Sequence, residues 1–183
     1  MKKDINSNGY IFLYATILVV VVAVLLTAVA LWLQPYQQRN KEQEKRRMIL
    51  SAAGVSDGVI TFVEGKLPLY LVNDSISVIP MEGKGLWGPI SGYLAVASDG
   101  RTVLGANFDH ESETPGLGGE ITTEKFQGQF RGKQIRKEGR LAPIEFDAIT
   151  GATKTSNGVK EMIDRTLEAY APYFEKVTER LTK

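Results

Sequence analysis

The sequence predicts an α+β fold: one N-terminal transmembrane helix followed by a single domain with a mainly antiparallel sheet and a C-terminal helix. Three observations carry that prediction. Residues 11–33 hold no charged side chain, and at about 1.5 Å per residue they reach ~35 Å as a helix, enough to cross a bilayer. Short β-branched and aromatic runs, separated by Gly, Asp or Pro, fill residues 57–146. Beyond them Val159, Ile163, Leu167, Tyr170, Phe174, Val177 and Leu181 fall on one helical stripe.

The elements follow in order. Residues 1–35 read as the anchor, closed by Pro35. Ala28-Val29-Ala30 has the small-x-small look of a signal-peptide cleavage site, but a signal's apolar region is usually about 7–15 residues, so length favours an uncleaved span. Residues 36–56 read as a charged helical stalk, a solvated spacer stopped by Gly54, with Glu42 and Arg46 as i,i+4 partners. Residues 57–183 form the domain. Strands are expected over 59–63, 67–72, 75–79, 90–97, 103–108 and 141–146, with a hairpin turn at Ser98-Asp99-Gly100-Arg101 and a short helix over 123–130. The last helix is expected to start near Asn157 and to bend or split at Pro172.

Composition removes several function classes. Net charge is +1, which gives nucleic acid no electrostatic footprint. The chain has no cysteine, which excludes disulfides, iron–sulfur ligation and thiol catalysis, and a single histidine, His110, is too few for a His-based metal site. No Gly-Lys-Ser/Thr ends a Walker loop and no Gly-x-Gly-x-x-Gly precedes a helix, so nucleotide hydrolysis and dinucleotide binding have no support. Orientation is read two ways. Lys2 and Lys3 precede the span, whereas Arg39, Lys41, Lys45, Arg46 and Arg47 follow it, and this count alone keeps the domain in the cytoplasm.

Two segments carry the chemistry. In Asp147-Ala148-Ile149-Thr150-Gly151-Ala152-Thr153-Lys154-Thr155-Ser156, a hydroxyl at Thr153 stands on a small-residue turn just before a helix. Gly151 and Ala152 admit a bulky ligand, and the helix N-terminus offers N–H donors to an anion. The same residues also serve as an ordinary helix cap. In His110-Glu111-Ser112-Glu113-Thr114-Pro115-Gly116-Leu117-Gly118-Gly119-Glu120, glycines expose backbone N–H groups, Thr114 offers a hydrogen bond and Leu117 an apolar surface for a flat ring; a plain Pro-Gly turn fits the same residues.

These two motifs, with Gly85-Leu86-Trp87-Gly88-Pro89-Ile90 and the membrane helix, resemble the FMN-binding subunits of respiratory sodium pumps: the C subunit of the sodium-translocating NADH:quinone oxidoreductase (the NqrC family), with the G subunit of the Rnf complex as sister family. The Gly-Leu-Trp-Gly and Gly-Leu-Gly-Gly-Glu segments point to the NqrC family. The resemblance implies FMN esterified through its phosphate to Thr153, attached by a separate flavin transferase that uses FAD and a divalent metal and recognises residues 147–153. Asp147, Thr150, Gly151, Ala152, Thr155 and Ser156 complete that implied site; Glu113, Thr114, Gly116, Leu117 and Gly118 are candidate ring contacts, with Trp87 either nearby or in the core. No catalytic residue and no metal ligand is expected.

The resemblance further implies an electron relay within a complex that also holds the B, D, E and F subunits. Electrons arrive from an iron–sulfur centre in integral membrane partners and leave to the FMN of the B subunit, on the way to riboflavin and ubiquinone, with sodium export. The complex is the NADH:quinone reductase; the isolated protein is only a carrier. The family places the domain on the periplasmic side of the bacterial inner membrane, against the charge count, and that placement is preferred here. A flavin-free, membrane-tethered assembly domain is the alternative from another class. Lys133, Arg136 and Lys137 are further basic residues that could face the phosphate, and the segment 133–146 is shorter than in many sodium-pump members.

Overall fold

A computed structural model describes residues 8–137 and 140–181. They divide into two compact units, with the boundary between Glu44 and Lys45. In the first unit the chain is helical and its large apolar side chains, such as Phe12 at 73% and Leu26 at 66% exposure, face outward. A globular core does not leave leucine and phenylalanine so bare, whereas a lipid-facing helix does. The helix α1 (Asn8–Ala53) is long and apolar enough to cross a membrane.

Pro35 lies inside α1 and does not end it. Proline removes one N–H and crowds the preceding turn, a local cost that the helix-forming residues on both sides offset. The helix ends at Ala53, with Gly54 at φ +71°. Arg46 does not turn to Glu42; its guanidinium donates to Asp57 Oδ1 at 3.0 Å and to the Gly58 carbonyl at 2.9 Å.

The second unit holds a five-stranded, wholly antiparallel sheet in sequential order: β1 (Ile60–Val63), β2 (Leu69–Val72), β3 (Ile76–Lys84), β4 (Pro89–Val96) and β5 (Val103–His110). Asn73 and Asp74, both at positive φ, form the tight turn between β2 and β3, a conformation those side chains tolerate. The β4–β5 connection is tied by Asp99, whose carboxylate accepts from the N–H groups of Arg101 and Thr102 and from the Thr102 hydroxyl.

Alternation along the strands buries both faces of the sheet. Leu69, Ile79, Met81, Leu94, Val96 and Phe108 face the C-terminal helix α3 (Thr153–Leu181), which contributes Val159, Met162, Ile163, Leu167, Tyr170 and Phe174. Tyr70, Val72, Val78 and Ala95 face the other way, onto Ile49, Leu50, Ala52 and Ala53. The end of the supposed solvated stalk is therefore core. Its apolar residues recur at helical spacing only over the last turn, a signal hidden by the charged residues before it.

Three further elements differ from the sequence expectations. Residues 141–146 are not a strand: only β7 (Arg140–Leu141) pairs with β6 (Arg136–Lys137), because Pro143 cannot donate to a ladder, and Ile144 and Phe146 enter the core from irregular chain. The expected helix over 123–130 shrinks to one turn, α2 (Glu124–Gln127), flanked by 3-10 turns at Gly118–Thr122 and Gly128–Phe130. Thr123 caps it by accepting from the Phe126 N–H. These pieces are held by Phe108, Phe126, Phe130 and Phe146, whose rings meet mostly edge to face at 5.0–5.9 Å between centroids. Finally, α3 starts at Thr153, not Asn157, and continues through Pro172.

Candidate functional site

The start of α3 is set by the Asp147-to-Thr153 turn. Ala152 N–H donates to Ile149 O, and Ser156 N–H donates to Ala152 O, both at 3.0 Å, so Ala152 is the residue just before the helix. Ser156 Oγ in turn accepts from Ile149 N–H at 3.0 Å, locking the turn onto the helix. The N–H groups of Thr153, Lys154 and Thr155 precede the first intrahelical bond and point out of the helix end. Thr153 is itself exposed, beside buried Ala152 and a Gly151 at φ +80° that a side chain would strain.

Thr155, two residues on, is fully buried, and its hydroxyl donates to Glu113 Oε2 at 2.7 Å. Glu113 is the hub of the site. It is 5% exposed, and its Oε1 accepts from the Trp87 N–H at 2.8 Å. Burial raises its pKa, but hydrogen bonds from Thr155 and from the N–H groups of Trp87, Leu86 and Gly88 outweigh that and hold it below the ordinary glutamate value. The carboxylate thus joins all three sequence motifs. Gly85 and Gly118 make its cradle: a Cβ on either would stand 2.4 and 2.2 Å from a carboxylate oxygen.

Around this hub the exposed residues are Thr114, Gly116, Leu117, Leu86 and Trp87, the last at 67% exposure. Trp87 is therefore no core tryptophan. Leu117 Cδ2 lies 3.0 Å from where a Gly151 Cβ would stand, which brings the glycine loop against the Thr153 turn. His110 closes β5 and accepts the Glu113 N–H at Nδ1, 3.3 Å. Asp147 is exposed, and its backbone N–H and carbonyl are both bound by the Gln129 side chain. A cavity of about 530 Å³ runs beside residues 147–150, lined also by Glu120, Thr123, Lys125 and Phe126. Another of about 420 Å³ lies on the opposite flank, between Lys84, Leu86, Lys154 and Asn157.

Two sequence readings change with the geometry. Glu113 faces inward with both oxygens engaged, so it supports the surface and is not part of it. Arg136 is buried against the far half of α3, donating to Glu175 at 3.2 Å and to the Ala171 carbonyl at 3.5 Å, and those partners lie about five helical turns or more from Thr153. It does not serve a phosphate there. Sequence reasoning missed Gln129, whose side chain pins Asp147; no local pattern connects positions 18 residues apart.

A surface with an accessible hydroxyl, three outward N–H donors, close-approach glycines and bare apolar side chains suits a phosphate ester carrying a flat ring. Comparison with known proteins gives the class: residues 85–168 match the FMN-binding domain family, and the chain belongs to it. Its similarity runs to the C subunits of sodium-translocating NADH-quinone reductases. With the one from Vibrio vulnificus it shares 34% identity over 161 residues, covering 78% of this chain and 63% of the relative's length. The crystal structure of the C subunit from Parabacteroides distasonis superposes with a TM-score of 0.65 at 29% identity, over 78% of this chain and 96% of that one. That of Shewanella oneidensis NqrC, at 22% identity and TM-score 0.65 over 77% of this chain and 99% of that one, shares the fold.

Proposed function

We propose that this protein carries FMN covalently on Thr153 and relays electrons as the NqrC component of a sodium-translocating NADH:quinone reductase. The observation that carries the reading is the placement of an exposed threonine hydroxyl at the first position of α3, where helix N–H groups can take phosphate charge. Loading is a phosphoryl transfer in which Thr153 Oγ forms a new bond to the flavin-side phosphorus of FAD. The pyrophosphate bond breaks, AMP leaves, and the hydroxyl proton goes to solvent or to a base on the transferase. Thr150, Gly151 and Ala152 give that enzyme a projecting turn, and Asp147, held by Gln129, marks its start.

FMN supplies one- and two-electron chemistry, so the protein needs to bind, orient and shield, without a general acid or base. Leu117, Thr114 and Trp87 offer the ring its contacts, and Gly116 and Gly118 let the loop approach it. The FMN-binding domain and the NqrC-type names of the relatives support this reading over the G subunit of Rnf. The same kinship supports the B, D, E and F subunits as partners, an FAD-dependent flavin transferase for maturation, and an inner-membrane anchor with the domain in the periplasm.

The test is the intact mass of the full chain co-expressed with a flavin transferase, beside Thr153→Ala. A gain of one FMN less one water in the wild type, absent in the variant, is expected. No gain in either, with the transferase active on a control substrate, would return the domain to a flavin-free assembly role.

A further inference from the structure

We propose that Glu113 is a positioning residue that fixes the loop 86–88 against the first turn of α3, so that Trp87 and Thr153 are presented to the flavin as one rigid surface. The inference rests on the reading of Thr153 as the FMN carrier and goes beyond it by assigning the group that organises the site.

Neither Trp87 nor Thr153 is held by burial: both side chains are exposed. What restrains the loop is backbone bonding. Gly85 N–H donates to Gly88 O at 2.8 Å, closing the turn, and Trp87 N–H donates to Glu113 Oε1 at 2.8 Å, anchoring it. The other oxygen of the same carboxylate takes the Thr155 hydroxyl at 2.7 Å, one residue past Lys154 and on the same helical turn as Thr153. One rigid group about 2 Å across therefore spans two chain segments some 70 residues apart in sequence.

The surroundings are shaped to that group. Gly85 and Gly118 leave no room for a Cβ beside the two oxygens, and Glu113's own backbone is fixed by His110. A charged acceptor also suits this place better than a neutral one, because its hydrogen-bonding neighbours are all donors: the Thr155 hydroxyl and the N–H groups of Leu86, Trp87 and Gly88. Glutamine would keep the shape but turn an NH₂ toward one set of donors. Either the loop or the helix turn would then lose its acceptor, and the two would move independently.

Hydrogen–deuterium exchange on the full chain in detergent micelles, without flavin, tests the tie. In Glu113→Gln, amides of residues 86–88 and of the first turn of α3 should both exchange at least about tenfold faster, while β4 stays protected. Should Glu113→Gln loosen β4 as well, Thr155→Val decides, since it removes one hydroxyl and leaves the charge and the loop bonds in place. With a transferase present, both variants should take up FMN several-fold more slowly than wild type. Unchanged exchange in both segments, or FMN uptake at the wild-type rate in both variants, overturns the proposal. A wild-type chain that takes up no FMN while Glu113→Gln loosens both segments sinks only the carrier reading.

Discussion

The two ends of α3 each bury a charge, and they use it differently. At the C-terminal half, the Arg136 side chain, 6% exposed, meets Glu175, which is 59% exposed. That contact closes the domain over the helix and leaves nothing reactive at the surface. At the N-terminal end Glu113 is met by neutral donors from a loop and from the helix itself, and the residues around it stay bare. A buried charge paired with an opposite charge ends a surface; one satisfied by backbone N–H groups can hold a surface open. That contrast separates a structural end from a functional one without reference to any relative.

The largest expected effect comes from breaking the seat of the functional end. Gly158 packs so closely that an alanine Cβ would stand 2.2 Å from the Lys84 carbonyl oxygen. Alanine is the better helix former by about 1 kcal/mol, yet a clash with backbone must displace either α3 or β3. Gly158→Ala should lower stability by about 1–3 kcal/mol, seen as a drop in thermal midpoint, and should also slow FMN uptake, because Lys84 leads directly into the Gly85 turn. A variant as stable as wild type would mean that the two elements are not locked here.

The structural end should respond more weakly and without a functional signature. Arg136→Met keeps much of the buried volume and removes the bonds to Glu175 and Ala171. Since Glu175 is more than half exposed, water re-solvates its charge, so the loss should be about 1–2 kcal/mol in a denaturant titration, with FMN uptake unchanged. Impaired uptake in a stable Arg136→Met protein would erase the distinction between the ends.

How much of this was readable in sequence depends on range. The membrane span, the five strands and the α3 stripe show in local periodicity, and the Thr153 turn and the glycine loop show in local composition. Lost were the features set by distant partners. Residues 141–146 look like a strand because Ile144 and Phe146 alternate, but they pack against Phe126 and Phe130 instead of a neighbouring ladder. The start of α3 was placed late because the small residues that admit a ligand are also poor signals for a helix. Glu113 was legible as a site residue and not as a buried one, since its burial depends on Gly85 and Gly118 meeting around it.

The smallest effect is on pH, and it separates the charge on Glu113 from its shape. Its pKa in the folded protein lies below the ordinary value of 4.5, because the donors outweigh burial. A depressed folded pKa means that ionised Glu113 adds stability above the unfolded value, and that this increment disappears as pH falls through the folded one. Asp57 and Asp99 are also depressed, so the total acid response of the wild type cannot be credited to one residue. The difference between wild type and Glu113→Gln removes their share. That difference in thermal midpoint should be widest near about pH 6 and should narrow progressively toward about pH 3. A constant difference over that interval would mean that the glutamine variant loses only geometry, and that the donors around residue 113 do not require a charge.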